Sequence, residues 1–262
     1  MNYWKQRSEP YIPGQKTPFK VSRTKIEDFY TCPRCFWLDR RMKIVRPSSP
    51  PFNINKAIDE LFKKEFDVHR KAGTQHPLQA KFKIDAKPFA HKDMDTWRHN
   101  FTGVQALHEP TNLLIFGAVD DVWENSDGEL IVVDYKATAK DTEITSLNPP
   151  GGWHDMYRRQ MEVYQWLLRQ NGFKVSDTGY FVYANGDASA DGFNDVVKFR
   201  THVFPHVGNA DWIEPTLEKM KACLEGDMPE VGRAAMGGPC EHCTYARART
   251  ELTLQHIKKT TK

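Results

Sequence analysis

The 262-residue sequence contains no apolar run that approaches the roughly 18 residues a membrane helix needs. Residues 1–7 lack the apolar core of a secretion signal, and the chain has neither internal repeats nor a low-complexity tract. A hydrophobic content of 39% is nevertheless enough to bury a sizeable core. We therefore expect a cytoplasmic globular protein with no membrane partner.

A large net charge is also absent, since the formal value is +3. The charge is uneven, however: residues 1–110 hold 21 Lys and Arg against 12 Asp and Glu, whereas residues 111–262 hold 16 against 22. A basic first part suits a polyanion such as nucleic acid, although a solvated surface is the commoner meaning of such charge.

Cysteine is scarce, and four of the five cysteines form two CxxC pairs at opposite ends of the chain, Cys32/Cys35 and Cys240/Cys243. In a cytoplasmic protein, metal ligation is expected over disulfides. Two such pairs supply four sulfur ligands for zinc or an iron-sulfur cluster. The fifth cysteine, Cys223, is predicted to be a buried thiol.

Two β-rich runs, 112–124 and 129–138, flank a turn that ends at Gly128. A three-residue loop with Gly128 in the left-handed conformation would pair the two strands in a defined antiparallel register. That register places Asp120 directly across from Asp134. Because cross-strand partners share a face of the sheet, the two carboxylates are predicted to meet.

Strand alternation adds Lys136 to the face that holds Asp134 and turns the Tyr135 side chain away. Two close carboxylates call for a cation, and oxygen ligands with no nearby histidine select Mg²⁺ or Mn²⁺. With Lys136 to orient water, the set suits phosphodiester hydrolysis. The alternative is an exposed Asp/Lys ion pair, but residues 130–133 read as a strand buried on both faces, which favours a site.

Hydrophobic periodicity predicts the other elements of the chain. Helices are predicted over 24–38, 54–71, 155–172 and 209–225, and further strands over 179–184 and 196–200. The apolar stripe of the third helix is predicted to include Met156, Gln160, Val163, Tyr164 and Leu167. Since Gln160 and Tyr164 are polar residues on a buried stripe, we expect a polar partner for them.

Together these motifs resemble the RecB-like branch of the PD-(D/E)XK nuclease superfamily, and most closely its iron-sulfur members, the CRISPR-associated exonucleases and the AddB nuclease domain. Residues 117–120 resemble the GxxD motif, 134–136 the DxK motif and 160–164 the QxxxY motif. Tyr30-Thr-Cys32-Pro and the segment from Cys240 to Tyr245 resemble the cysteine elements that bracket them.

The sequence departs from this family pattern at two points. The iron-sulfur relatives usually place a cysteine where this chain has Arg249, and Cys35 is the expected replacement ligand. The early GxxxH motif is also missing, so Asp59, or alternatively Glu60, would stand in for its histidine as a metal ligand.

The resemblance implies an α/β fold: a restriction-endonuclease-like central mixed sheet flanked by helices, with a cysteine-clamped accessory lobe. It implies a [4Fe-4S] cluster on the four cysteines, with structural Zn²⁺ as the alternative. The Tyr135 carbonyl would join Asp120 and Asp134 on the metal ion, while Gln160 and Tyr164 would hold the scissile phosphate or Lys136. The expected DNA-backbone contacts are Lys140, Arg158 and Arg159.

We predict a flexible arm over 1–20, one nuclease domain over 21–250 with 21–45 and 226–250 as its metal lobe, and a tail over 251–262. The predicted function is a metal-dependent DNA nuclease, with exonuclease action on single-stranded or end-containing DNA. The predicted partners are DNA and a larger repair, phage or CRISPR-adaptation complex. A catalytically silent nucleic-acid-binding or scaffold subunit is the alternative, and a zinc-stabilised interaction module is a more distant one.

Overall fold

A computed structural model describes residues 9–47, 52–140, 142–147, 150, 152, 154–232 and 238–260. Helices flank mixed sheets, which confirms the predicted α/β class. Residues 1–8 of the predicted arm lie outside this description. Within the described residues, no helix combines the length and apolarity needed to cross a membrane.

The described residues form two compact units. Unit 1 draws on residues 1–49, 107–114 and 213–262, and unit 2 draws on 50–106 and 115–212. In unit 1, helices α1 (Arg23–Thr31), α2 (Pro33–Met42) and α7 (Ile213–Glu225) pack on one another, and α8 spans Glu241–Thr260. The helices of unit 2 are α3 (Asn53–Ala72), α4 (Pro77–Lys81), α5 (Met94–Arg98) and α6 (Asp155–Gln170).

In the part of the chain that the structure describes, eight strands form two sheets. The strands are β1 (Phe19–Ser22), β2 (Lys87–Pro88), β3 (Val104–His108), β4 (Leu113–Gly117), β5 (Asp121–Glu124), β6 (Leu130–Ala139), β7 (Thr178–Gly186) and β8 (Phe199–Val207). The smaller sheet has the order β1-β4-β3, and the larger has the order β2-β5-β6-β7-β8. In the larger sheet β6 and β7 run parallel, whereas the other neighbours are antiparallel. Strand β6 is therefore central, which explains the buried run 130–133.

The core of unit 2 lies between α3 and one face of the larger sheet. Phe66 of α3 is fully buried and stacks on Trp123 of β5 with ring centroids 5.3 Å apart. Phe62 stacks on Tyr135 of β6 at 5.0 Å. Burial of large aromatic side chains contributes strongly to stability, so this packing fixes the helix on the strand that carries Asp134.

Several predicted boundaries are wrong for identifiable reasons. The helix predicted over 24–38 is interrupted at Cys32, and Pro33 begins a second helix, a position at which proline is favoured. The run 112–124 is two strands, β4 and β5, in different sheets. Met156 is exposed instead of belonging to the buried stripe of α6. The last helix, α8, continues past residue 250, where sequence patterns indicated a tail.

His76 caps α4 within the same core. Its Nδ1 accepts a hydrogen bond from the Leu78 amide at 3.1 Å, and its ring stacks on Phe66 at 4.1 Å. Burial, reinforced by the neighbouring His69, lowers the pKa of His76 to about 4. The imidazole is thus held neutral in the folded protein.

We expect His76 to make the protein less stable as the pH falls. Because the folded pKa lies below the unfolded value of about 6.5, its contribution is fully present above pH 6.5 and is lost toward pH 4. Glu65, His69 and Asp121 are the titratable groups that face it. His76→Asn keeps a capping side chain but cannot titrate. Urea unfolding between pH 7 and pH 4 should show a loss smaller by roughly 2 kcal/mol in this variant; parallel profiles would contradict the assignment.

Candidate active site and cysteine centre

The hairpin between β5 and β6 has the predicted geometry. Gly128 has a φ of +72°, and the Asn125 amide donates to the Glu129 carbonyl at 3.1 Å, which closes a three-residue loop. The register pairs Asp121 with Val133. The predicted register is confirmed for Asp121 to Glu124, and Asp120 lies one residue before this paired segment.

The carboxylates of Asp120 and Asp134 lie close together. Asp120 is half-buried, and its Oδ2 accepts a hydrogen bond from the Tyr135 amide at 2.9 Å. Asp134 is fully buried. Burial is the main reason that the pKa of Asp134 rises to about 7, and repulsion from Asp120 adds to it, against the opposing attraction of Lys136.

Lys136 lies between the carboxylates and an aromatic ring. Its Nζ is ion-paired with Asp134 and stands 4.6 Å from the ring centroid of Tyr157 on α6. Burial would lower the pKa of Lys136, but the charges of Asp134 and Asp120 outweigh it and raise the pKa. The ammonium therefore stays charged and is held on two sides.

Helix α3 brings a third carboxylate to this place. Asp59 has a pKa raised by burial and by the Asp120 charge, and its Oδ2 accepts from Lys63 Nζ at 2.7 Å. Glu60, the alternative, is exposed. The structure thus places Asp59, and not Glu60, beside the paired aspartates.

Asp59, Lys136 and Tyr157 border a cavity of about 240 Å³. It is lined by Asn55, Ile58, Asp59, Tyr135, Lys136, Ala137 and Tyr157. Among the described residues that line it there is neither histidine nor cysteine, so the available ligands are hard oxygens. Both carboxylate oxygens of Asp134 are buried; Oδ2 is ion-paired with Lys136, and Oδ1 accepts no hydrogen bond in the described part of the chain. A buried carboxylate oxygen without a partner, beside two other carboxylates, fits a Mg²⁺ or Mn²⁺ ion.

Gln160 and Tyr164 are brought together by one turn of α6. Gln160 Nε2 donates to the Tyr164 hydroxyl at 3.2 Å, and Tyr164 is buried. Gln160 and Tyr164 are thus polar partners of one another. Arg158 pairs with Asp155 at 2.6 Å on the same helix, and the DNA contacts predicted for Lys140, Arg158 and Arg159 stay predictions.

Sequence reasoning missed Tyr157, whose ring packs on the Lys136 ammonium. Tyr157 lies three residues before Gln160, and residues at this spacing are neighbours on a helix surface. That spacing was the available signal. It also missed Asp121, which is fully buried beside Arg70 and Arg98; no short-range pattern links these residues.

The four paired cysteines converge in unit 1, as predicted. Their sulfur atoms all lie within 4.8 Å of one another. The Sγ separations include 3.8 Å between Cys32 and Cys243, 3.7 Å between Cys35 and Cys240, and 3.5 Å between Cys35 and Cys243. All four are free thiols and belong to no disulfide. Four converging thiols, three of them buried, form a candidate metal centre.

The surroundings of the Cys32 sulfur favour its negatively charged thiolate form. Cys32 is buried, but hydrogen bonds from the backbone of Cys35 and Gly232 lower its thiol pKa to about 7. The Gly232 amide lies 3.3 Å from the Cys32 Sγ. Cys223 lies outside the group of four, and burial raises its pKa to about 11. The thiol is only half-buried, so the prediction that Cys223 is buried is wrong.

A family model described as the PD-(D/E)XK nuclease superfamily matches residues 53–248. A solved structure of a protein named SSO0001 aligns with 14% identity over 82% of this chain and 80% of that chain, with a TM-score of 0.34. No curated protein matches this chain.

Proposed function

Because the chain belongs to the PD-(D/E)XK nuclease superfamily, we propose that it is a metal-dependent nuclease of the RecB-like branch that hydrolyses phosphodiester bonds in DNA. The observation that carries the proposal is the cluster in which the carboxylates of Asp59, Asp120 and Asp134 lie close together and the Lys136 ammonium pairs with Asp134, beside a cavity that Asp59 and Lys136 line. The three carboxylates are buried or half-buried and can bind a divalent ion, and the ammonium can hold a water molecule. This combination suits metal-assisted phosphodiester hydrolysis.

The ligands proposed for the divalent ion are Asp59, Asp120, Asp134 and the Tyr135 carbonyl. When bound there, such an ion polarises a phosphoryl oxygen and neutralises its developing charge. Lys136 holds the attacking water near the phosphorus through its ammonium, and the Tyr157 ring keeps that ammonium in place. The water oxygen forms the new bond to phosphorus as the bond to the leaving oxygen breaks.

The polar pair on α6 has a supporting role in this proposal. Tyr164 is buried and accepts a hydrogen bond from Gln160, so the two side chains form a unit that orients the scissile phosphate or Lys136. Lys140, Arg158 and Arg159 contact the phosphates on either side of the cleaved bond. Phosphate contacts of this kind position a nucleic acid without reading its sequence.

Access to the site favours a single strand over a duplex. The Asp134 side chain is fully buried and the Lys136 side chain is only 15% exposed, so little of the reactive set is open to solvent. A flexible strand can bring one phosphate to the space of about 240 Å³ that Asp59 and Lys136 line, whereas a duplex is too wide to enter it. This supports the exonuclease action on single-stranded or end-containing DNA that we propose.

The cysteine centre has a structural role in the proposal. A tetrahedral ion with bonds of about 2.3 Å to sulfur holds its ligand sulfurs about 3.8 Å apart, close to the separations of 3.5 to 3.8 Å found here. A [4Fe-4S] cluster binds each cysteine through a different iron and therefore needs the sulfurs farther apart. The separations support zinc, whereas the resemblance to iron-sulfur nucleases supports the cluster.

Incubation of the purified chain with labelled nucleic acids tests the proposal. We expect Mn²⁺ or Mg²⁺ to support cleavage of linear single-stranded DNA, with less cleavage of closed circular single strands and of blunt duplexes, and none with EDTA. RNA of the same sequence shows whether cleavage requires deoxyribose. Binding of DNA without cleavage under every metal condition would instead identify the silent binding or scaffold subunit.

A further inference from the structure

A buried charged cluster lies on the face of the hairpin opposite the paired carboxylates. At its centre Asp121 Oδ1 accepts from Arg98 Nη2 at 2.9 Å and from Arg70, while Oδ2 accepts from the Tyr135 hydroxyl at 2.7 Å. Asp67 pairs with both arginines, at 2.9 Å in each case. Two arginines and two aspartates balance one another, which permits the burial of Asp121 and of most of both arginines, while Asp67 stays partly exposed.

Two hydrogen bonds connect this cluster to Asp120. Arg98 Nε donates to the Asp120 carbonyl at 3.1 Å, and the Tyr135 amide donates to the Asp120 carboxylate at 2.9 Å. The preceding residue is also held, because the Val119 amide donates to the Trp97 carbonyl at 3.1 Å. Hydrogen bonds from helix α5 and strand β6 therefore hold Asp120 in place.

Asp120 needs such a restraint because it lies one residue before β5 begins. Its carboxylate is close to the charges of Asp134 and Asp59, as their raised pKa values record. Repulsion from both would turn a half-buried side chain on a loop residue toward solvent. The contacts of Arg98 and Tyr135 oppose that movement.

We propose, on the premise of the function above, that Arg98 and Tyr135 are positioning residues, which hold the Asp120 carboxylate where it can share one divalent ion with Asp134. Neither side chain touches the ion in this arrangement. Arg98 holds Asp120 by its hydrogen bond to the Asp120 carbonyl. The Tyr135 hydroxyl holds the neighbouring residue, because it donates to the Asp121 carboxylate and so connects β6 to β5. Outer partners of this kind typically change metal affinity by about 10- to 100-fold.

The matched pair Arg98→Lys and Arg70→Lys tests the proposal. Both arginines pair with Asp67 and Asp121, but the other contacts of Arg70 are the carbonyls of Phe89 and Val122 and do not include Asp120. Lysine keeps the charge and loses the planar fork, so it cannot reach three partners at once. Both variants should therefore lose comparable stability in thermal unfolding.

The deciding measurement is direct Mn²⁺ binding, followed by the paramagnetic resonance signal of the free ion. We expect Arg98→Lys to weaken binding about 10-fold or more and to raise the Mn²⁺ concentration for half-maximal cleavage equally, with KM for DNA unchanged. Arg70→Lys should keep the wild-type Mn²⁺ affinity. Equal affinities for the two variants would overturn the proposal.

Tyr135→Phe provides a second test that does not depend on the folding of the arginine variants. It removes one hydroxyl and keeps the ring that stacks on Phe62 at 5.0 Å. We expect this variant to bind Mn²⁺ more weakly than the wild type while its ring stays packed on Phe62. Wild-type Mn²⁺ affinity would reject the role of Tyr135. If the wild-type protein itself neither binds Mn²⁺ nor cleaves DNA, the proposed function fails first, which separates the two outcomes.

Discussion

We expect Asp134→Asn to slow metal-dependent DNA cleavage by at least about 1000-fold, because a carboxylate ligand to a catalytic ion supplies several kcal/mol of transition-state stabilisation. Asp134 is the fully buried member of the site, and among the described residues its Oδ2 pairs with Lys136 while its Oδ1 accepts no hydrogen bond. Asparagine has the same shape but a weaker ligand oxygen and no charge. Lys136→Met should cause a similar loss by removing the ammonium.

The two variants should differ in stability when metal is removed with EDTA. Asp134 carries a buried charge next to Asp120, so neutralising it relieves repulsion and should raise the free energy of unfolding. Removing Lys136 leaves the two carboxylates without their ion-pair partner and should lower it. Asp127→Asn is the matched control, since it makes the same change on the exposed loop of the same hairpin. Near wild-type cleavage by either active-site variant would disprove the assigned roles.

The second large effect is expected at the cysteine centre. Cys240→Ser should release the bound metal and lower the unfolding temperature by roughly 10 °C, taking one thiolate as about a quarter of the free energy with which such sites bind zinc. Cys240 is buried, and its sulfur lies 3.7 Å from that of Cys35. Elemental analysis and differential scanning calorimetry measure the two effects.

Cys223→Ser is the control for this prediction, since it changes a cysteine outside the group of four. It should keep the full metal content. Anaerobic purification identifies the metal: broad visible absorbance with iron and sulfide indicates a [4Fe-4S] cluster, whereas a colourless protein with one equivalent of zinc indicates a single ion. A protein that retains its metal after Cys240→Ser would contradict the centre itself.

The part of the site that depends on local chemistry could be predicted from the sequence. The loop ending at Gly128 sets the register of its two strands, and strand alternation then puts Asp120, Asp134 and Lys136 on one face. Likewise, CxxC spacing fixes which sulfurs can meet. These predictions depend on turn geometry and short spacings, which do not change with the rest of the fold.

The missed features depend on contacts between distant segments. The strand predicted over 112–124 is broken because Trp97 and Arg98 bind the main chain of residues 119 and 120, whereas Ala118 and Val119 are themselves compatible with a strand. Tyr157 meets Lys136 only once α6 packs on β6. The interruption at Cys32 differs, because Pro33 was a visible signal for a new helix.

The wide separation of the cysteine pairs along the chain has a consequence for synthesis. Cys32 and Cys35 leave the ribosome early, whereas Cys240 and Cys243 emerge after every residue of unit 2 has been made. The metal centre can therefore be completed only on a chain translated to its last helix. A ribosome that stops before Cys240 releases a polypeptide with all the proposed catalytic side chains but half of its sulfur ligands, so metal uptake distinguishes molecules translated past Cys243 from shorter ones.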